Sequence, residues 1–81
     1  MVVYPNPSSG NFIVELLNSE IAGDATIDVV NVIGQKVFSS AEKISSSDFK
    51  KQIELSDVAH GVYFIEIKSE HDFFSKKIIV V

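Results

Sequence analysis

The stretch VYFIEIK at residues 62–68 decides the fold class, because its side chains alternate with a period of two. Tyr63, Ile65 and Ile67 fall on one side of an extended chain, whereas the charged Glu66 falls on the other. This alternation is typical of a half-buried β-strand, whereas the apolar residues of an amphipathic helix recur every three or four positions. The sequence therefore predicts a strand here with one face in a core.

Other segments along the chain have the same β-type pattern or a β-rich composition. They are residues 2–4, 11–17, 26–32, 35–39, 51–55 and 72–81. About seven short strands separated by polar turns predict an all-β fold, an Ig-like antiparallel β-sandwich. By strand alternation, Ile27 and Val29 join Tyr63, Ile65 and Ile67 in the predicted core between two sheets.

Two turns are marked by residue type. The run PNPSSG at residues 5–10 cannot continue a strand, because each proline lacks an amide donor and has a fixed φ. The run NVIG at residues 31–34 fits a type I turn with Asn31 in the first position. Gly34 is then expected to take a positive φ and to form the bulge of a hairpin.

Three further connections are predicted. Residues 18–24 and 45–48 are polar and are expected to be loops, the second of them exposed. Residues 56–61 form a crossing loop in which Ser56 could cap one helical turn. Tyr63 follows this loop directly, so it is either a tyrosine corner, bonded back across the loop, or an ordinary core aromatic.

Composition excludes several classes of function. With 81 residues the chain allows one domain, residues 1–81, and its hydrophobic share of 46% is that of a packed globular protein. Seven Lys against 11 acidic residues give a net charge of -4, which argues against a nucleic-acid partner. Cysteine is absent, so disulfides, thiol catalysis and cysteine zinc sites are excluded.

Catalytic and metal-binding patterns are also missing. His60 and His71 lie beside turn residues without the spacing of a metal motif, so both are expected to be exposed loop side chains. The sequence contains no nucleophile elbow and no glycine-rich phosphate loop. Four strand carboxylates are predicted to point outward into solvent: Glu15, Asp28, Glu54 and Glu66. We therefore expect no enzyme activity, no cofactor, no metal site and no small-molecule substrate.

Four segments, taken in order, resemble one known family. They are YPNP at residues 4–7 with Gly10, NVIGQKV at 31–37, the 55–65 segment with GVYFI at its end, and KKIIV at 76–80. Together they resemble the type A C-terminal sorting domain of the type IX secretion system, also termed the Por secretion system, of the Bacteroidetes. Any one of these motifs is weak, but the ordered set covers nearly the whole chain.

The resemblance implies a set of site residues. Its recognition motif falls on Tyr4, Pro5, Asn6, Pro7, Gly10, Lys77, Ile78, Ile79 and Val80. Its structural motif falls on Asn31, Gly34, Gly61 and Tyr63. The final strand is either a central strand or an edge that a receptor could read by strand addition.

The resemblance also implies a role and a location. Such a domain is a non-catalytic signal at the C-terminus of an exported parent protein, which it routes to secretion or to the cell surface. Its implied partners are the translocon, shuttle and sortase proteins of the type IX system, met during transit through the periplasm. No apolar run approaches the ~20 residues of a membrane helix, so membrane insertion is not expected. Met1 leads straight into a strand-like segment, so we expect it to be an added start on an excised domain.

One alternative from another functional class stays open. The chain could be an Ig-like accessory module that binds carbohydrate or serves adhesion in a larger extracellular protein. Exposed aromatic side chains would favour that interpretation, and the candidates are Phe38, Phe64, Phe73 and Phe74. The absence of Trp weighs against a sugar-binding platform.

Overall fold

The computed structural model describes residues 1–17, 21–45 and 48–81, and it confirms the all-β fold class. The described residues form seven strands and no helix. The strands are β1 (Val2–Tyr4), β2 (Asn11–Leu16), β3 (Gly23–Asn31), β4 (Lys36–Ile44), β5 (Phe49–Glu54), β6 (Gly61–Ser69) and β7 (Phe73–Val80). No helix in this part of the chain is long and apolar enough to cross a membrane.

Two antiparallel sheets pack in a sandwich-like arrangement. The three-stranded sheet has the order β1-β2-β5, and the four-stranded sheet has the order β4-β3-β6-β7. The β3–β4 and β6–β7 hairpins lie within the larger sheet, whereas the β2–β3, β4–β5 and β5–β6 connections cross between sheets. Each sheet has two edge strands. The edges β1 and β7 lie on one side of the sandwich, and the edges β5 and β4 lie on the other.

The core lies between the sheets and contains the residues that alternation predicted. Ile27, Val29, Tyr63, Ile65 and Ile67 are all buried. The opposite sheet contributes every second residue of β2 and one of β5, namely Phe12, Val14, Leu16 and Ile53. Each such side chain stabilises the fold by about 1.5–3 kcal/mol through removal of apolar surface from water.

The fourth strand is longer than predicted. It runs to Ile44 rather than ending at Ser39, because it pairs with nearly the whole of β3. Sequence patterning missed its second half because β4 is an edge strand with mostly polar residues there, and only the terminal Ile44 is buried. A register shift between Val29 and Val30 marks a β-bulge in this hairpin.

The predicted loops differ from expectation in two places. Residues 56–60 contain no helical turn, so the proposed Ser56 cap is wrong, and Asp57 instead takes a φ of 57°. β3 begins at Gly23, within the predicted 18–24 loop. Residues 21–22 lie outside any strand, as predicted, but Ile21 is buried in the core. Residues 18–20 and 46–47 lie outside the described residues, so the loops predicted there stay predictions.

The prediction that Asp28 points into solvent is wrong. Its side chain lies on the outer face of the larger sheet but is only 1% exposed, because β3 is flanked there by β4 and β6. The Ser39 hydroxyl donates to its carboxylate at 2.6 Å, and the Lys36 ammonium lies 3.6 Å away. These partners offset the cost of burying a charge. Glu54 is exposed as predicted, whereas Glu15 and Glu66 are half-buried.

Candidate recognition site

A short segment joins the two sheets on the side between β1 and β7. Residues 5–8, termed the strap, leave the end of β1 in the smaller sheet and reach β7, the edge strand of the larger sheet. The Tyr4–Pro5 and Asn6–Pro7 peptide bonds are both cis. The two prolines prevent a regular strand over residues 5–7, because each lacks the amide that a ladder needs, and only Ser8 of the strap forms a β-bridge, with Val80.

Asn6 binds the backbone of β7 with both ends of its amide. Its Nδ2 group donates to the Lys77 carbonyl at 3.1 Å, and the Ile79 amide donates to its Oδ1 atom at 3.0 Å. An asparagine side chain carries one acceptor and a two-proton donor, so it substitutes for the peptide group of a neighbouring strand. The two contacts join residues that are 71 and 73 positions apart.

Ser8 continues the same edge through its main chain. The Ser8 amide donates to the Ile79 carbonyl at 3.0 Å, and the Val81 amide donates to the Ser8 carbonyl at 2.8 Å. Its hydroxyl accepts a hydrogen bond from the Gly10 amide at 3.2 Å, and the residue is 6% exposed. Ser8 is not among the recognition residues that the sequence motifs indicate. The signal was a serine two residues before a glycine, the spacing of a side-chain-to-backbone turn.

Several predicted recognition residues therefore meet in space. The strap residues Pro5 to Pro7 lie along the 77–79 part of β7, with Asn6 as the contact. Ile78 and Val80 point inward and are core residues, whereas Ile79 is half-buried. Tyr4 lies outside this contact, because its hydroxyl donates to the Glu15 carboxylate on β2 at 2.9 Å.

Gly10 closes the strap. Its φ of 111° lies in the left-handed region, and its carbonyl accepts a hydrogen bond from the Leu55 amide at 2.8 Å. A Cβ atom at this position would lie 3.2 Å from the Leu55 carbonyl oxygen. Glycine is required here by both conformation and space.

The β3–β4 turn has the predicted form. Gly34 has a φ of 86°, and its amide donates to the Asn31 carbonyl at 3.0 Å. The Asn31 Oδ1 atom also accepts hydrogen bonds from the Ile33 amide at 3.1 Å and the Gln35 amide at 2.9 Å. Asn31 thus accepts hydrogen bonds from three amides of the turn, all within four residues of it along the chain.

The structure decides between the two interpretations of Tyr63 in favour of the tyrosine corner. Its hydroxyl donates to the Ala59 carbonyl at 2.6 Å, back across the loop that precedes β6. The strand register pairs Gly61 with Val80 and Asn31 with Tyr63, so the corner, the β3–β4 turn and the strap lie at one end of the sandwich. Parts of all four segments on which the resemblance rests meet at this end.

The other side of the sandwich is joined by an ion pair. The Lys51 ammonium of β5 lies 3.1 Å from the Glu42 carboxylate of β4. The Ser40 hydroxyl donates to the same carboxylate and lowers the pKa of Glu42 below its ordinary value. Burial opposes this pKa shift, and Lys51 adds to it. The result is a link between the sheets that depends on ionisation.

The described residues form neither a metal-binding cluster nor an exposed aromatic platform. His60 and His71 are exposed, and no group of three His, Cys, Asp or Glu side chains in residues 1–17, 21–45 and 48–81 is placed to hold a metal ion. The four phenylalanines considered for a binding platform do not share an exposed surface. Phe38 and Phe74 pack against the core, Phe64 is half-buried and Phe73 alone is well exposed.

Comparison with known proteins gives one finding. The model of the family described as "Secretion system C-terminal sorting domain" matches residues 2–81, which is the whole chain apart from Met1. No curated protein is similar enough to this chain to be compared with it.

Proposed function

The chain belongs to the secretion-system C-terminal sorting domains, the sorting signals of type IX secretion, and from this premise we propose that it directs its parent protein across the outer membrane and onto the cell surface. The main support for the proposal is the family match over residues 2–81. In this role the domain is a non-catalytic ligand of the translocon, shuttle and sortase proteins. It acts while the parent protein is in the periplasm, and the parent ends at the surface or in the medium.

The contacts of the strap support a signal that the secretion machinery recognises in the folded state. Asn6 and Ser8 near one end of the chain hold Lys77, Ile79 and Val81 near the other through four hydrogen bonds. An unfolded chain would keep these two segments apart, since closing a loop of this length costs conformational entropy. We propose that the recognition residues Tyr4, Pro5, Asn6, Pro7, Gly10 and Lys77 to Val80 work as one surface or as its support.

An export assay tests the proposed function. The domain is fused to the C-terminus of a reporter with a Sec signal, in a bacterial host with an intact type IX system. We expect the reporter outside the cell or on its surface, and we expect the same reporter without the domain to stay in the periplasm. If the full fusion stays in the periplasm while the host exports its own cargo, the sorting role is rejected in favour of an accessory binding module.

A substitution in the strap separates recognition from folding. Deleting residues 77–81 would remove the buried Ile78 and Val80, so loss of export could reflect an unfolded domain. Asn6→Ala removes only the two side-chain bonds to β7. We expect the folded Asn6→Ala fusion to be exported less efficiently than Asn11→Ala, a control in which the altered asparagine is also exposed but lies on β2. Equal export of both variants would show that the strap is not read.

A further inference from the structure

The edge of β7 is covered over only part of its length. The groups that meet the strap belong to Lys77, Ile79 and Val81, so the odd-numbered residues of β7 direct backbone groups to the open side. In an antiparallel ladder, alternate residues direct both their N–H and C=O groups to the same neighbour. Phe73 and Ser75 therefore present both groups to the open side, and Lys77 presents its amide. These five groups have no hydrogen-bond partner among the described residues.

The uncovered edge is also locally cationic in an acidic protein. Lys76 and Lys77 are exposed, and neither forms an ion pair with a side chain in the described part of the chain. The nearest acid in the register is Glu66, opposite Ser75, and it lies 4.0 Å from the Lys68 ammonium. Phe73 is 57% exposed at the start of the same edge. An open ladder with two free cations and one exposed aromatic suits an acidic, partly apolar strand.

We infer that residues 73–77 accept an extended acidic segment of a partner protein as a fifth strand of the larger sheet. The inference rests on the proposed function, because a sorting signal must be read by a partner. Backbone pairing with Phe73, Ser75 and Lys77 supplies the binding, as in other cases of strand addition. Carboxylates opposite Lys76 and Lys77 select the partner and its register. The strap ends the pairing, because Asn6 already occupies the Lys77 carbonyl.

A second copy of this chain is a poor occupant of the edge. Because the odd-numbered residues face the open side, antiparallel pairing of two β7 edges over residues 73–77 is centred on Ser75 and makes the Lys76 side chains of the two copies diagonal neighbours. Like charges in such positions destabilise strand pairing, and lysines on edge strands deter self-association for this reason. The same lysines favour a partner of opposite charge.

A proline tests backbone pairing in the full reporter fusion. In Ser75→Pro the lost amide faces the open side, so the β6–β7 ladder keeps its hydrogen bonds. Ala41→Pro is the matched control, because the same alternation carried through β6 and β3 directs the Ala41 amide to the open side of β4. For domains shown to be folded by dispersed amide resonances, we expect at least about tenfold less export for Ser75→Pro and no more than about twofold less for Ala41→Pro.

A charge reversal tests the partner's chemistry separately. Lys76→Glu with Lys77→Glu is compared with Lys43→Glu with Lys50→Glu, which changes the net charge equally on β4 and β5. We expect the first pair to lower export by about tenfold and the second by less than about twofold. Equal losses would mean that overall charge is sensed, and they would overturn the acidic partner.

The outcomes separate this inference from the proposed function. If the unaltered fusion is not exported, both are rejected together. If it is exported and folded Ser75→Pro is exported equally well, strand addition at residues 73–77 alone is overturned. If sedimentation shows that the unaltered domain is a dimer and that Ser75→Pro is a monomer, a second copy occupies the edge and the inferred partner is wrong.

Discussion

The two sides of the sandwich are joined in different ways. On the side between β1 and β7, the strap binds the edge of β7 through four hydrogen bonds from Asn6 and Ser8. On the side between β5 and β4, the Lys51–Glu42 ion pair spans the sheets at 3.1 Å. The first link uses neutral, directional groups and fixes one register, whereas the second depends on charge. The strap therefore specifies a geometry, whereas the ion pair adds only an attraction that depends on ionisation.

The largest expected effect comes from removing the support beneath the strap. Ile78 is buried directly between the two β7 residues that bind Asn6. We expect Ile78→Ala to lower the free energy of unfolding by about 2–5 kcal/mol, through lost burial and a cavity. Ile79→Ala, at a half-buried outward position, should cost about 1 kcal/mol. Urea unfolding of both variants measures the difference, and equal losses would mean that Ile78 is not part of a tight core.

A smaller effect is expected from Gly10, where the strap turns into β2. Gly10→Val must place a branched side chain at a φ of 111° and a Cβ 3.2 Å from the Leu55 carbonyl oxygen. We expect a loss of roughly 1–3 kcal/mol in the free energy of unfolding. Ser9→Val is the neighbouring control and should stay within about 0.5 kcal/mol. Equal stability of Gly10→Val and the unaltered domain would contradict the positive φ of Gly10 and its close approach to Leu55.

Asn6→Ala should have a smaller effect on stability and a larger one on local exchange. The side chain is exposed, so the loss of its two bonds should cost about 1 kcal/mol or less. The Ile79 amide loses its acceptor, whereas the Val81 amide keeps the Ser8 carbonyl. We expect faster hydrogen exchange at Ile79 than at Val81, measured by NMR. Unchanged exchange at Ile79 would contradict the Asn6 contact.

The smallest effect should appear on the ion-pair side and should depend on pH. The pKa of Glu42 in the fold is held below its ordinary value of 4.5 by Ser40 and then by Lys51, against the effect of burial. A lowered pKa stabilises the fold above the unfolded value, and this contribution is lost as the pH falls through the folded pKa. We expect the unaltered domain to exceed Glu42→Gln in stability at neutral pH, and the difference to shrink below pH 4.5. A difference that is constant with pH would contradict the role of this charge.

Sequence patterns predicted the fold well where neighbouring residues alone set the conformation. Alternating apolar residues located the core side of β3 and β6, and Asn31 with Gly34 predicted a hairpin turn that the structure confirms. The pattern was weaker in β4, because an edge strand with polar side chains has no apolar alternation to detect. It was wrong for Asp28, because a single carboxylate does not reveal that both neighbouring strands will cover it.

Apart from the second half of β4, the sequence by itself determined where the strands lie, along with the turn at Asn31 and Gly34 and the inward faces of β3 and β6, because these depend on contacts within a few residues. Only the tertiary structure decided that Asn6 lies on β7 and that residues 73–77 keep an open edge. These features depend on sheet order, which brings together residues more than 70 positions apart. Propensity acts over short distances along the chain, whereas the position of an edge is set by how the two sheets pack.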